Sequence, residues 1–373
     1  MKIIIIMPVG EQRGGGEMML IDLMQQGRNL GIEWLVIFLE DGLMVKQIQD
    51  LGIDVRVVPS GRLRQPHRFI ATVAKIASLV RQEQASVVVG WMSKAHLYGS
   101  LASVLANRSS LWYQLGVPGN DNWMDRIATI LPGRGVVTLS KVGQEAQVRL
   151  WPQRPTPLVY PGVALERFDA SIMPSPTEAR RKLGLPLTGP LIGIVGRLQR
   201  WKGMHVLVEA MPKVLQRYPD AHCVVVGGKH DLEADYEDYL KERIASLCLE
   251  KQVILSGIQR NVPEWVQAMD IFVHASNNEP FGIVIIEAMA LGKPVIAGNA
   301  GGPTEIVTDG VNGLLTPYED VEALAHAILR YLDNPDFARI AGVAAQKRAF
   351  EFSTQNYAQN FIKTVCDLVP SVM

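Results

Sequence analysis

The sequence predicts an α/β chain with two domains, each built on a doubly wound parallel sheet. Three observations predict it. Short β-branched runs alternate with amphipathic helical stretches along most of the 373 residues, the alternation expected of parallel sheets with helices on both faces. The runs are near-continuous Val and Ile rather than apolar–polar alternations, as when neither face of a sheet meets water. Between them lies a seam of eight prolines: Pro152, Pro155, Pro157, Pro161, Pro174, Pro176, Pro186 and Pro190. That density interrupts regular structure, and a fresh strand–helix series starts after it.

The elements follow in order. Lys2–Met7 is an apolar run closed by Pro8. It is too short for a signal-peptide core and no small-residue cleavage site follows, so it reads as a buried first strand. Strands are expected at Glu33–Leu39, Asp54–Val58, Ser86–Gly90, Leu111–Gln114 and Gly135–Leu139, with helices at Met18–Leu30 and Phe69–Arg81. The second series places strands at Leu191–Val195, Ala221–Val226, Gln252–Leu255, Ile271–His274 and Pro294–Ala297. Helices are expected at Met204–Tyr218, Tyr236–Cys248 and Val321–Leu332, and Phe350–Val369 keeps a helical period through Phe352, Tyr357, Phe361 and Val365. One eleven-stranded sheet with a proline-rich excursion is the alternative, and sheets of that size are uncommon.

Composition excludes several classes. With 48% hydrophobic and 20% charged residues, the chain is neither disordered nor a coiled coil. Its 37 Lys and Arg balance 37 Asp and Glu, which argues against a general nucleic-acid binder. The balance hides an asymmetry. Residues 1–160 carry 17 basic and 12 acidic residues, a net of +5, and residues 161–373 carry 20 and 25, a net of −5. Cys223, Cys248 and Cys366 are odd in number and widely spaced, as reduced thiols of a cytoplasmic protein would be. No HExxH occurs among the seven histidines, so no metal is expected. No run approaches the ~18 apolar residues of a membrane-spanning helix.

Two segments carry chemistry. In Gly193-Ile194-Val195-Gly196-Arg197-Leu198-Gln199-Arg200-Trp201-Lys202-Gly203 a buried strand ends at Val195, and Gly196 lets a ligand approach the backbone. Arg197 and Lys202 then sit on the loop into a helix that buries Leu207, Ala210 and Met211. Cations beside a helix N-terminus favour a phosphate-bearing ligand; a βα turn with two solvated cations is the plainer reading of this segment alone. The second segment runs Ser276-Asn277-Asn278-Glu279-Pro280-Phe281-Gly282-Ile283, with a helix from Ile283 and Glu287 in its second turn. Ile283, Ile286, Ala290 and Leu291 are expected to face the core, leaving Glu287 at the stripe's edge. Gly301-Gly302-Pro303 makes a further glycine turn at a helix start. Paired Glu residues alone suit a solvated helix face; among glycine turns at strand ends they favour a site.

Together these segments resemble the retaining glycosyltransferases of family 4, which have the GT-B fold: two facing Rossmann-like domains with the active site in the cleft between them. The resemblance covers nearly the whole chain. It rests on the E-x7-E spacing of Glu279 and Glu287 within EPFGIVIIEAMALGKPVIAGNAGGPTEIV, on GRLQRWKG, on the Gly14-Gly15-Gly16-Glu17 loop, and on Pro161-Gly162-Val163…Glu166-Arg167-Phe168. It implies an N-terminal, acceptor-binding domain over 1–163, completed by a C-terminal helix over 354–373, and a donor-binding domain over 164–353.

The resemblance also implies roles. Arg197 and Lys202 would neutralise a nucleotide-sugar diphosphate, Glu279 would face the donor sugar near its anomeric carbon, and Glu287 would bond the ribose. Gly196 and the main chain at Phe281, Gly282, Ile283 and Val284 would contact phosphate and sugar. Gly257, Ile258 and Arg260 would lie against the base, and Gly15 and Gly16 would close over the diphosphate. The implied reaction is retaining hexosyl transfer from a UDP-sugar such as UDP-glucose to an acceptor hydroxyl, by same-face attack and without a divalent metal or other cofactor. An NDP-sugar 2-epimerase or a phosphorylase of the same architecture is the alternative, and a non-catalytic two-lobed binding protein a third.

Some positions depart from the family. Many relatives carry a His just after the fifth strand, where this chain has Gln114; His96 is the nearest other imidazole. An amide can bond a hydroxyl but carries no charge. His96 is either a sugar contact or a residue packed at a helix start on Trp91. On the acceptor side, Arg62, Arg64 and Arg68 stand with His67 in a glycine- and proline-marked loop. With the +5 half behind them they suit an anionic acceptor or the inner face of a membrane, or they form an exposed basic loop with no partner.

Overall fold

The computed structural model describes residues 1–12, 14–61, 64–119 and 122–369. The chain divides into two compact units, Met1–Val163 with Thr354–Met373, and Ala164–Ser353.

The first unit holds β1 (Lys2–Met7), β2 (Glu33–Phe38), β3 (Asp54–Val57), β4 (Val87–Trp91), β5 (Ser109–Gln114) and β6 (Gly135–Thr138). They form one sheet in the order β3-β2-β1-β4-β5-β6, every pairing parallel. The second unit holds β7 (Leu191–Val195), β8 (His222–Val226), β9 (Val253–Leu255), β10 (Ile271–His274), β11 (Val295–Gly298) and β12 (Leu314–Thr316). Its order is β12-β11-β10-β7-β8-β9, again all parallel. Counted from each unit's own first strand, both sheets read 3-2-1-4-5-6, the doubly wound dinucleotide-binding order. In that topology the strand order reverses between strands 1 and 4, so the loops that follow them diverge and open a crevice at their carboxyl ends. In the second unit those strands are β7 and β10.

The strands are buried on both faces. Ile3 to Met7 and Leu35 to Phe38 are all at 0% exposure, which is why their sequence shows no alternation. In the first unit, Ile4, Ile6, Leu35, Ile37 and Val88 pack against Val73, Ile76, Ala95 and Tyr98 of the helices. In the second, Ile192, Ile194, Val225 and Val273 pack against Leu207, Met211, Leu240 and Ile328.

Several elements differ from expectation. The first helix is Gly15–Gly27 rather than Met18–Leu30, so the glycines are its first turn. Gly16 is closely packed there: its carbonyl accepts the Trp91 indole N–H at 2.9 Å, and a Cβ would lie 2.8 Å from the side-chain ends of Leu115 and Met92, which would have to shift. β12 has only three residues between Gly313 and Pro317, too short to register as a strand in the sequence. The proline seam is also more than an interruption. Pro155 and Pro157 offer carbonyls to the amides of Val136 and Thr138, at 2.9 and 3.0 Å, and so close the β6 edge with residues that cannot themselves donate. Further on, Pro176 starts helix Pro176–Leu183 behind a Ser175–Glu178 capping box.

Among the described residues no helix is long and apolar enough to cross a membrane. The C-terminal segment is helix Thr354–Leu368, and it packs Phe361 against Trp91 and Tyr113, ring centroids 6.1 and 5.5 Å apart.

Candidate active site

Three loops of the second unit converge at the carboxyl ends of β7, β10 and β11. The β7 loop passes Gly196 and Arg197, makes a short 3-10 turn at Arg200–Lys202 and enters helix Met204–Arg217 through Gly203. Gly203 has φ +73°, and a Cβ there would lie 2.1 Å from the carbonyl oxygen of Ala275. Only glycine allows this loop to rest on the β10 loop, and the amide of Asn277 closes the contact by donating to the carbonyl of Trp201 at 2.7 Å. The β11 loop docks on the same segment: the Gly302 amide donates to the Glu279 carbonyl at 2.8 Å, and Gly301 at φ +75° leaves that carbonyl room.

This backbone brings Lys202 and Glu279 into a direct ion pair, their side chains 14% and 12% exposed. The ammonium also sits 4.0 Å from the Trp201 ring centroid, a cation–π contact. His274, the last residue of β10 and 1% exposed, places Nε2 3.3 Å from Oε2 of Glu279 and 3.2 Å from Oγ of Ser276. Its Nδ1 is buried without a partner. An Nε2 proton therefore has Glu279 as its acceptor.

Electrostatics follow from that packing. Burial resists charging of Glu279, but the His274 hydrogen bond and the Lys202 charge outweigh it and hold the carboxyl at about 2. Burial lowers the Lys202 pKa, Glu279 opposes the shift, and the nearby charge of Arg197 adds to it. Arg197 itself is exposed, with Nη1 3.4 Å from Nε2 of His230. The site thus presents a fixed carboxylate, a largely desolvated ammonium and a solvent-facing guanidinium. To these it adds the N-terminus of helix Ile283–Ala290, reached through Gly282 at φ +108°. An arrangement of this kind receives an anionic ligand.

The remaining expected residues fall as follows. Glu287 is half-buried in the second turn of that helix. Phe281 and Gly282 are buried and Ile283 and Val284 half-buried; the core face is carried by Ile285, Ile286, Ala288, Met289 and Ala290, so Ile283 is not the core position its spacing suggested. Gly257, at φ +69°, Ile258 and Arg260 form an exposed loop after β9, and Ile258 lies over Gly228, where a Cβ would meet it at 2.0 Å.

In the first unit, Gly15 and Gly16 begin the first helix. Gln114 is 4% exposed; its Oε1 accepts from the Gly116 amide at 3.2 Å while Nε2 is buried without a partner. His96 corrects both of its expected readings. It is 2% exposed and stacked on Trp112, not Trp91, with ring centroids 5.5 Å apart. Burial, helped by the charge of Arg154, depresses it to about 3, so it is a neutral core residue. Arg64 and Arg68 are exposed, and Arg62 lies outside the described residues. No cluster of three or more His, Cys, Asp or Glu suited to a metal ion occurs among the described residues.

Sequence reasoning missed His274, Trp201 and His230. The one available signal was a histidine closing the otherwise apolar strand Ile271–His274.

Comparison with known proteins bears on this geometry. Residues 175–348 match the model of glycosyl transferases group 1. The chain is 34% identical over 212 residues to a D-inositol 3-phosphate glycosyltransferase of Corynebacterium urealyticum, covering 55% of this chain and 50% of that one. It is 32% identical over 206 residues to the lipopolysaccharide core biosynthesis mannosyltransferase LpsB of Rhizobium meliloti, covering 55% and 57%. The chain thus spans about half the length of the curated relatives it matches. Among solved structures, Anabaena HepE in complex with UDP superposes with a TM-score of 0.87 at 28% identity, over 98% of this chain and 100% of that one. HepE has also been solved with UDP-glucose, TM-score 0.86, at the same identity, over 98% of this chain and 99% of that one. The two sheets are those of the GT-B fold, each unit Rossmann-like.

Proposed function

We propose, from the match of residues 175–348 to the model of glycosyl transferases group 1, that the chain transfers a hexose from a nucleotide sugar to an acceptor hydroxyl. The observation that carries the reading is the Lys202–Glu279 pair at the carboxyl ends of β7 and β10, with Arg197 beside it. A crevice at that switch point is where a doubly wound sheet takes a nucleotide. The donor is UDP-glucose or a close UDP-sugar, a choice supported by the UDP and UDP-glucose bound to Anabaena HepE.

In this reading Lys202, Arg197 and the N-terminus of helix Ile283–Ala290 meet the diphosphate, Glu287 bonds the ribose, and the Gly257–Ile258–Arg260 loop lies against the base. The bond from the anomeric carbon to the phosphate oxygen breaks, and its electron pair leaves with the nucleoside diphosphate. Fixed cations aimed at that growing charge are electrostatic preorganisation, and they supply without a divalent metal what a metal bridge would. The acceptor oxygen attacks the same face, so configuration is retained, and its proton passes to an oxygen of the departing phosphate. Glu279, ionised far below neutral pH, is a hydrogen-bond acceptor and a fixed negative charge beside the oxocarbenium-like carbon. It is not the proton donor. Arg64 and Arg68 on the basic first unit favour an acceptor with negative charge.

The test is incubation with a panel of nucleotide sugars and a lysate-derived acceptor pool, reading UDP and GDP release. Acceptor-dependent release with one donor is expected, unchanged by EDTA. No such release with any donor overturns the reading, and loss of it in EDTA overturns the metal-free part.

A further inference from the structure

We propose that His230, on the loop after β8, is a direct ligand of the donor's diphosphate and shares a phosphate oxygen with Arg197. The inference rests on the reading that a nucleoside diphosphate occupies the crevice between β7 and β10, and it adds a residue and a further loop to that site.

The pairing of β7 with β8 runs on past both strands. The Gly196 amide donates to the Val226 carbonyl at 3.0 Å, the Leu198 amide donates to the Gly228 carbonyl at 3.0 Å, and Leu198 and Lys229 form a parallel bridge. Gly227 permits this approach: its φ is +156°, and a Cβ would lie 1.8 Å from the Gly196 carbonyl oxygen. Arg197 and His230 therefore stand on neighbouring segments. The turn that follows fixes them there. Glu233 accepts the Arg200 amide at 2.7 Å and the Gln199 side-chain amide at 3.5 Å, and Asp235 pairs with the Arg200 guanidinium at 2.6 Å.

The bonding of the half-buried ring decides what it can do. The Leu232 amide donates to Nδ1 of His230 at 3.3 Å, so Nδ1 is an acceptor and the ring proton stands on Nε2. Nε2 lies 3.4 Å from Nη1 of Arg197, and a guanidinium only donates. Two N–H donors thus lie side by side, and neither can accept from the other. Glu233 and Asp235, the acids of the same loop, are engaged by Arg200 and do not supply the acceptor. A phosphate oxygen has lone pairs for both: Arg197 brings the charge and His230 a directional N–H.

The experiment is calorimetric titration of the full chain with UDP, carried to millimolar concentration at constant pH and salt. It compares the native chain, His230→Ala, His230→Gln, Arg197→Ala and the double alanine variant. His230→Ala should weaken UDP binding by about tenfold or more, the scale of a hydrogen bond to a charged group. His230→Gln, whose amide still donates, should recover most of that loss. In the Arg197→Ala background, His230→Ala should weaken binding again, because its contact is with phosphate. Equal affinity of the native chain and His230→Ala overturns the inference and leaves the reading of the crevice standing. A loss that disappears once Arg197 is alanine makes His230 a support for Arg197 only, and overturns it as well. A native chain that binds neither UDP nor GDP overturns the reading of the crevice and the inference with it. Urea unfolding midpoints of the His230 variants should match the native chain; if that of His230→Ala falls, His230→Gln decides, its recovery supporting the contact and a tenfold loss overturning it.

Discussion

Nε2 of His274 stands 3.3 Å from Oε2 of Glu279, at the end of a strand that is otherwise entirely apolar. The Glu279 carboxylate therefore has two holders, the His274 imidazole N–H and the Lys202 ammonium. If a phosphate draws Lys202 away, His274 still fixes the orientation. His274→Leu should lower kcat by about tenfold to a hundredfold with little change in donor KM, as expected for a misplaced reacting group. His274→Gln, whose amide can still donate, should recover part of the loss. Initial rates at varied donor concentration separate the two; equal kcat for both variants and the native chain would remove His274 from the site.

Glu279→Ala leaves the Lys202 ammonium desolvated without its counter-charge. Breaking a buried pair from one side costs about 3–5 kcal/mol, so urea denaturation should show a loss of that order together with loss of turnover. Lys202→Ala should chiefly raise donor KM. The acid response has a definite sign. The Glu279 pKa falls from 4.5 to about 2 on folding, so its contribution is full above pH 4.5 and is lost as pH falls towards 2. Glu279→Gln should remove that part of the acid dependence, checked by unfolding midpoints across the window.

Gly203→Ala tests the contact between loops. Its φ of +73° and a Cβ 2.1 Å from the Ala275 carbonyl oxygen allow no side chain without movement. We expect a loss of at least about 2 kcal/mol in urea denaturation. Donor affinity should weaken in parallel, because Lys202 is the residue before it.

Lys293 predicts an alkaline response. It is 7% exposed, donates to the Gln267 carbonyl at 2.7 Å, and burial lowers it from 10.5 to about 8. Between those values the unfolded chain binds the proton more tightly, so this group makes stability rise with pH from 8 towards 10.5. Lys293→Met should abolish that rise; an unchanged slope in urea unfolding over the same range would contradict it.

The sheets were legible because parallel strands buried on both faces must be written in Val and Ile. Lys2–Met7, Leu191–Val195 and Ile271–His274 are found where their composition places them. Leu314–Thr316 was not legible, since three residues carry no period. The residues of the site were legible as types on loops, but their pairing was not. Lys202 and Glu279 are 77 residues apart, and their contact depends on β7 and β10 being neighbours, a fact of sheet order rather than of either segment. His274 was hidden by its strand, and His96 misled because helix position alone does not say that its ring stacks on Trp112.

The first unit is discontinuous: its last helix, Thr354–Leu368, follows the whole of the second unit in the chain. During synthesis the second unit, an uninterrupted stretch, emerges complete while Trp91 and Tyr113 of the first still lack Phe361. The half of the protein made first is thus the last to be finished. A stop codon shortly after residue 353 would spare the second unit's core and leave the first with an open aromatic seam, a ready target for chaperones and proteases.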